Sequence, residues 1–259
     1  MKLYKNKVIK KAQGEVGYLE KETNAYLYSK KKNAGDKNFT KYGKWYNMNG
    51  VYWCCEFLSW LFAKSYGYEN GLKLLCGGYS AACETIRQQF IKAGRYHPAN
   101  GYTPKRGDVI FYWVKYSTRS DHIGIVERVS NGYVHTIEGN TSKADEVVDN
   151  GGAVARKAYA MSYIKILGYG NPNYDIKPTK LVAPKPTLKK GAKGASVKQL
   201  QKCLNATVHT GIIVDGDYGD KTSEALKTFK VSKKLESHNG DIYGKKAYTT
   251  MKKAIKNVD

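Results

Sequence analysis

Asn131-Gly132, set between two runs of β-branched and aromatic residues, constrains the fold more than any other feature of this chain. The runs are His122-Ile123-Gly124-Ile125-Val126 and Tyr133-Val134-His135-Thr136-Ile137-Glu138. An Asn-Gly pair between such runs predicts an antiparallel hairpin, because both residues accept the positive φ of a tight turn. Val109-Ile110-Phe111-Tyr112-Trp113-Val114 predicts a further strand. Upstream, Cys54, Phe57, Leu58, Leu61 and Phe62 recur at helical spacing, and their apolar stripe has to pack on a sheet. The expected class is therefore α+β.

The length of the turn decides which side chains share a face. A two-residue loop of Asn131 and Gly132 pairs Ser130 with Tyr133 and sets Glu138 opposite Ile125, away from His122. A three-residue loop with Gly132 in a bulge pairs Val129 with Tyr133 instead. Glu138 then lies opposite Gly124, and Asn140 opposite His122. A shared site for His122, Glu138 and Asn140 thus predicts the three-residue, bulged turn.

Cys54 opens the amphipathic helix. A thiol there feels unpaired backbone N–H groups and the positive end of the helix dipole, which favour its thiolate. Cys55 points about 100° away, with Ser59. The competing reading makes Cys54 a small core residue, a common fate of free cysteines.

Several runs carry a family resemblance: Trp53-Cys54 with Phe57-Leu58-Ser59-Trp60, Lys105-Arg106-Gly107-Asp108-Val109-Ile110-Phe111, Asp121-His122-Ile123-Gly124-Ile125-Val126 and Thr136-Ile137-Glu138-Gly139-Asn140-Thr141-Ser142. In this order they resemble the CHAP family, the cysteine, histidine-dependent amidohydrolases/peptidases. The resemblance covers roughly residues 1–170. It implies a papain-like domain of antiparallel sheet plus helices that cleaves amide bonds in bacterial peptidoglycan. It also implies that Cys54 is the nucleophile, His122 the general base and Glu138 the residue orienting the histidine, with Asn140 at a polar position often counted with them. Cys55 departs from the family, where a small residue such as alanine is usual. The chemistry implied is a thioester acyl-enzyme hydrolysed by water. It calls for no metal and no cofactor, and zinc-type spacings are absent from the sequence.

The remaining histidines and cysteines have plainer readings. His135 is at odd separation from Glu138 and faces the other side of its strand, while His97, His209 and His238 sit in turn-like surroundings. Cys76 and Cys83 flank Gly77-Gly78 and could be joined, but no secretion signal supports an oxidising destination and five cysteines leave at least one free. The expectation is that Cys76, Cys83 and Cys203 are reduced structural thiols.

Gly170, Pro172, Pro178, Pro184 and Pro186 break any periodicity, so residues 171–187 read as a Pro/Lys-rich linker. Beyond it, residues 188–259 show three short amphipathic stripes, Val197-Leu200-Leu204, Ala225-Leu226-Phe229 and Ala247-Tyr248-Met251-Ile255, which predict a small three-helix domain. Leu188-Lys189-Lys190-Gly191 and Val214-Asp215-Gly216-Asp217-Tyr218-Gly219 resemble the peptidoglycan-binding domain found on many wall hydrolases, with a weaker echo at Asn239-Gly240-Asp241-Ile242-Tyr243-Gly244. The glycines and Asp215 are expected to shape turns, and Tyr218 and Tyr243 to fill the core or stack on a sugar.

Forty-four basic against 22 acidic residues give a net charge of +22, spread over both parts of the chain. Such a surface attracts an anionic polymer. No helix-turn-helix, zinc-finger or RNP signature points to nucleic acid, whereas an anionic Gram-positive wall suits both resemblances. No segment approaches the length of a transmembrane helix and the start lacks the apolar core of a signal peptide, so the expectation is a protein made in a host cytoplasm and released onto the wall, as a phage endolysin is. N-acetylmuramoyl-L-alanine amidase is the favoured activity. A stem-peptide or cross-bridge endopeptidase of the same mechanism is the alternative, and a non-catalytic wall-binding protein the alternative of another class.

Overall fold

The predicted hairpin forms between β3 (His122–Ser130) and β4 (Tyr133–Thr141). The computed structural model describes residues 4–115, 118–142, 146–148, 150–236 and 238–256. Ser130 pairs with Tyr133 across Asn131 and Gly132, whose φ values of 52° and 77° fit a two-residue turn. This corrects the expectation of a three-residue, bulged turn. The extra residue lies lower in the ladder: Val126 pairs with Thr136 but Arg128 with His135, so Glu127 is bulged out. Below the bulge Ile125 pairs with Ile137, which brings Glu138 opposite Gly124 after all.

Four more strands complete the sheet: β1 (Tyr96–Pro98), β2 (Val109–Tyr112), β5 (Ala153–Ala160) and β6 (Ile166–Gly170). They make a six-stranded antiparallel sheet in the order β1-β6-β2-β3-β4-β5. One face gives Val109, Phe111, Ile123, Ile125 and Ile137 to a core shared with helices α1 (Lys5–Glu15) and α3 (Cys54–Tyr66). The other gives Ile110, Tyr112, Val126 and Val134 to a second cluster with Tyr159 and Tyr169. The α+β class, with an antiparallel sheet, helices and a C-terminal helical region, is as the sequence predicts.

Helix α3 is the centre of the first core. Phe57, Leu58, Leu61 and Phe62 are buried, each contributing about 1.5–3 kcal/mol. Cys55, Glu56 and Ser59 are buried as well, so the helix is jacketed on more than its apolar stripe. Strand β4 approaches so closely that a Cβ on Gly139 would lie 2.6 Å from the Phe57 side chain. The other helices of this part of the chain are α2 (Lys41–Tyr46), α4 (Tyr68–Leu74) and α5 (Cys83–Lys92).

The chain divides into two compact units, Met1–Tyr66 with Asn70–Pro178, and Gly67–Glu69 with Thr179–Asp259. The boundary falls inside the Pro/Lys-rich stretch, and both of its ends are packed. Asn171 donates to Asp108 Oδ1 at 2.8 Å and Tyr174 to the Gly107 carbonyl at 2.7 Å in the first unit, while Leu181 and Ala183 are buried in the core of the second.

In the second unit, β7 (Leu188–Lys189) pairs with β8 (Ile242–Tyr243), and α6 (Ala195–Val208), α7 (Asp220–Ser232) and α8 (Lys245–Ile255) enclose Leu200, Leu204, Leu226, Phe229 and Met251. The repeat seen in the sequence is a repeated turn. Asp215 Oδ1 accepts from the Asp217 N–H at 2.8 Å, and Asn239 Oδ1 from the Asp241 N–H at 2.7 Å. Each turn leads to a buried tyrosine, Tyr218 or Tyr243, and then to a glycine before a helix. Both tyrosines are core residues, enclosed away from any sugar. Among the described residues no helix is long and apolar enough to cross a membrane.

Candidate active site

Cys54 is the first residue of α3, and the first helical hydrogen bond runs from the Phe57 N–H to the Trp53 carbonyl. The amides of Cys54, Cys55 and Glu56 therefore precede the intrahelical ladder, the position at which a helix stabilises an anion. Trp53 fixes this helix start: its ring N–H donates to Glu20 Oε2 at 2.9 Å and it stacks on Tyr42 with centroids 5.4 Å apart.

His122 opens β3, fully buried. Its Nε2 is 3.0 Å from Glu138 Oε2, and Nδ1, which has no hydrogen-bond partner, is the nitrogen left for the thiol. The ring interacts with both Cys54 and Glu138. Burial opposes its charge, yet these two partners outweigh burial and raise it to about 10. Cys54 moves the other way: contacts with Cys55 and Cys83 lower it most, His122 adds to them, and together they outweigh burial to hold it well below the usual thiol range. Both directions favour a thiolate at Cys54 beside a protonated His122.

Glu138 is held from four sides. Besides His122, it accepts from Tyr112 at 2.9 Å, Thr136 at 2.5 Å and Tyr159 at 3.3 Å. A buried carboxylate with four donors is fixed in one rotamer and in turn fixes the imidazole. Gly124 makes the room, since a Cβ there would be 2.6 Å from Glu138 Cγ. Asn140 stands apart from this hydrogen-bonded set. It is fully buried in a left-handed conformation, φ 53°, at an irregularity between β4 and β5, and both of its amide atoms lack partners.

The loop before His122 is tied by the motif residues. Asp121 accepts from the Val114 N–H at 2.5 Å and the Lys115 N–H at 2.9 Å, and Ser120 donates to the His122 carbonyl at 3.0 Å. Glu84, in the first turn of α5, accepts from the Ser120 N–H at 2.7 Å. That tie brings Cys83, the first residue of α5, to the site: its sulfur is 3.6 Å from Cys54 and 2.9 Å from Cys55. All three thiols are free and their sulfurs lie within 4.8 Å of one another, a set capable of holding a soft metal ion. The 2.9 Å edge is shorter than the roughly 3.8 Å that separates thiolates around a tetrahedral zinc with bonds of about 2.3 Å.

Sequence reasoning missed Cys83, Tyr112, Thr136, Tyr159 and Glu56. Glu56 is fully buried with both oxygens unpartnered, and burial, followed by the charge of Cys54, raises it to about 8. Its position inside an otherwise apolar helix was the available signal. His135 lies on the other side of its strand from Glu138, 3.0 Å from Ser130, and takes no part in the site.

Residues 45–140 match the CHAP domain, a span that takes in Cys54, Cys55, Cys83, His122, Glu138 and Asn140. No curated protein matches the sequence. Among solved structures, the chain is similar to Ly7917 at 12% identity and a TM-score of 0.38, covering 73% of this chain and 68% of that one. It is also similar to Ly7917 with the hydrolyzing product of MDP, at 15% identity and a TM-score of 0.38, covering 72% of this chain and 66% of that one, slightly under two thirds. A periplasmic domain of the EpsAB fusion protein of the Vibrio vulnificus type II secretion system aligns at 11% identity and a TM-score of 0.25, over 56% of this chain and 55% of that one.

Proposed function

We propose that this chain is an endolysin-type peptidoglycan hydrolase that cuts an amide bond of the bacterial wall through a Cys54 thioester. The observation that carries this reading is the Cys54–His122–Glu138 relay at the start of α3. The Cys54 thiolate attacks the amide carbonyl, and the tetrahedral oxyanion meets the Cys54 N–H at the helix start. His122, protonated at Nδ1, gives its proton to the leaving amine and then takes one from the water that hydrolyses the thioester. Glu138 holds the ring's tautomer and stabilises its charge throughout. N-acetylmuramoyl-L-alanine amidase is the favoured specificity, and an endopeptidase of the same mechanism is the alternative.

The C-terminal unit is proposed to bind the wall and so raise the local concentration of scissile bonds. The excess of basic residues supports attraction to anionic wall polymers.

Mass spectrometry of fragments released from purified Gram-positive peptidoglycan tests the proposal. Free stem peptides starting at L-alanine, absent with Cys54→Ala, establish the amidase. New amino termini inside the stem or bridge establish the endopeptidase. Absence of fragments from the wild type refutes catalysis and leaves a wall-binding protein.

A further inference from the structure

The nucleophile has two thiols for neighbours that the amide-cleaving cycle does not use. Cys54 and Cys55 occupy the first two positions of α3 and Cys83 the first of α5, and the Cys83 sulfur sits between them, 3.6 Å from one and 2.9 Å from the other. A disulfide has sulfurs about 2.05 Å apart, so either bond to Cys83 needs a shift of roughly 1–1.5 Å. Exposure orders the three: Cys54 and Cys83 are 6% exposed and Cys55 fully buried.

We propose that Cys54, Cys55 and Cys83 form an oxidation relay in which Cys83 captures oxidised Cys54 as a disulfide and Cys55 then displaces Cys54, storing the oxidation as a Cys55–Cys83 disulfide. The proposal rests on Cys54 being the reactive thiolate of the site described above. With hydrogen peroxide as oxidant, the Cys54 thiolate attacks one peroxide oxygen. An S–O bond forms, the O–O bond breaks, and the departing hydroxide takes the His122 proton to become water. The Cys83 sulfur then attacks the sulfenic sulfur. The S–S bond forms, the S–O bond breaks, and hydroxide leaves with the Cys83 proton as a second water. Finally the Cys55 sulfur attacks Cys83 and expels Cys54 as a thiolate, while the Cys55 proton returns to His122. One peroxide and two thiols have become one disulfide and two waters, and the thiolate–imidazolium pair is restored.

The last step runs in this direction because the better-stabilised thiolate is the better leaving group. Cys54 is held well below the usual thiol range by its sulfur neighbours and His122, whereas burial pushes Cys55 well above it. The stored disulfide leaves the Cys54 sulfur reduced and able to attack substrate.

The test treats the full chain with one equivalent of hydrogen peroxide, blocks free thiols, maps linkages by tandem mass spectrometry and measures fragment release from peptidoglycan. The wild type is expected to show Cys55 linked to Cys83, Cys54 free and activity retained. Cys55→Ala should stop at a Cys54–Cys83 disulfide, lose at least tenfold in activity and regain it with dithiothreitol. Cys83→Ala, given at least two equivalents of peroxide because a second peroxide must oxidise the sulfenic acid, should carry sulfinic acid at Cys54 and stay inactive after reduction, where the wild type under the same excess recovers; Cys83→Ser serves if the alanine variant fails to fold. Absence of any Cys83 disulfide in the oxidised wild type overturns the relay, as does full recovery of a folded Cys83 variant. The linkage map decides this even if the untreated protein releases no fragments, an outcome that refutes only the hydrolase reading.

Discussion

Replacing Glu56 by glutamine removes a carboxyl that the fold holds under strain. The side chain occupies the first turn of α3, where the helix dipole favours a carboxylate by about 0.3–1 kcal/mol. Burial opposes this and wins: both oxygens are enclosed without partners, and the group is raised from 4.5 to about 8. A carboxyl with a raised folded value binds more protons folded than unfolded, so stability falls as pH climbs from 4.5 towards 8 and levels off above. With 1.36 kcal/mol per unit, the cost is roughly 1 kcal/mol at pH 5, about 3 at pH 7 and about 4 at pH 8. Full enclosure leaves little solvent screening to discount. Glu56→Gln lacks the titration, so its stability relative to wild type should rise by about 3 kcal/mol between pH 5 and 8. Urea unfolding followed by tryptophan fluorescence measures this cleanly, because Trp45, Trp53, Trp60 and Trp113, the chain's four tryptophans, all belong to the first unit. The amide has hydrogen-bonding needs of its own, and these shift the variant's curve equally at every pH. Parallel curves for the two proteins would refute the reasoning.

Three further outcomes follow from the site. Cys54 should be alkylated by iodoacetamide well below pH 8, while Cys55 stays unmodified in the folded protein; peptide mapping across pH reads both, and equal labelling would contradict the assigned asymmetry. Glu138→Gln should lower fragment release by roughly 10²–10⁴-fold, less than Cys54→Ala or His122→Ala, with the fold intact by circular dichroism. Gly124→Ala should push Glu138 off its four donors, since the new methyl lies 2.6 Å from Glu138 Cγ; at least a tenfold loss of activity is expected with about 1–3 kcal/mol of destabilisation, and wild-type activity would show that the strand yields instead.

What could be read in the sequence was what depends on local pattern. The Asn131-Gly132 turn, the β-rich runs and the stripe from Cys54 to Phe62 follow from φ preference and periodicity, and they specify an antiparallel sheet against a helix. The bulge at Glu127 did leave a trace. Val126 and Val129 pack on the same face although three residues apart, a spacing no regular strand permits. The ladder's exchange of one irregularity for another is a tertiary outcome, decided by which registry buries Ile125 and Ile137 together. Cys83 was illegible for a different reason. Its place beside Cys54 depends on the Glu84–Ser120 hydrogen bond across 36 residues of chain, which no local pattern encodes. Glu56, Tyr112, Thr136 and Tyr159 were ordinary residues in ordinary elements until packing enclosed them.

The Glu127 bulge makes the hairpin tolerant of a change in length. Pairing on either side of the extra residue already has the registry of a regular ladder closed by a two-residue turn, so removing Glu127 leaves Ser130 facing Tyr133 and Glu138 facing Gly124. The side chain at that position is employed elsewhere. It accepts from Gln13 at 2.6 Å and pairs with Arg156 at 3.0 Å, tying α1 and β5 to the hairpin. A chain shortened by this one residue should therefore keep its catalytic geometry and surrender only that tie. Relatives of differing strand length could share one active site, with the surplus residue free to become a structural brace.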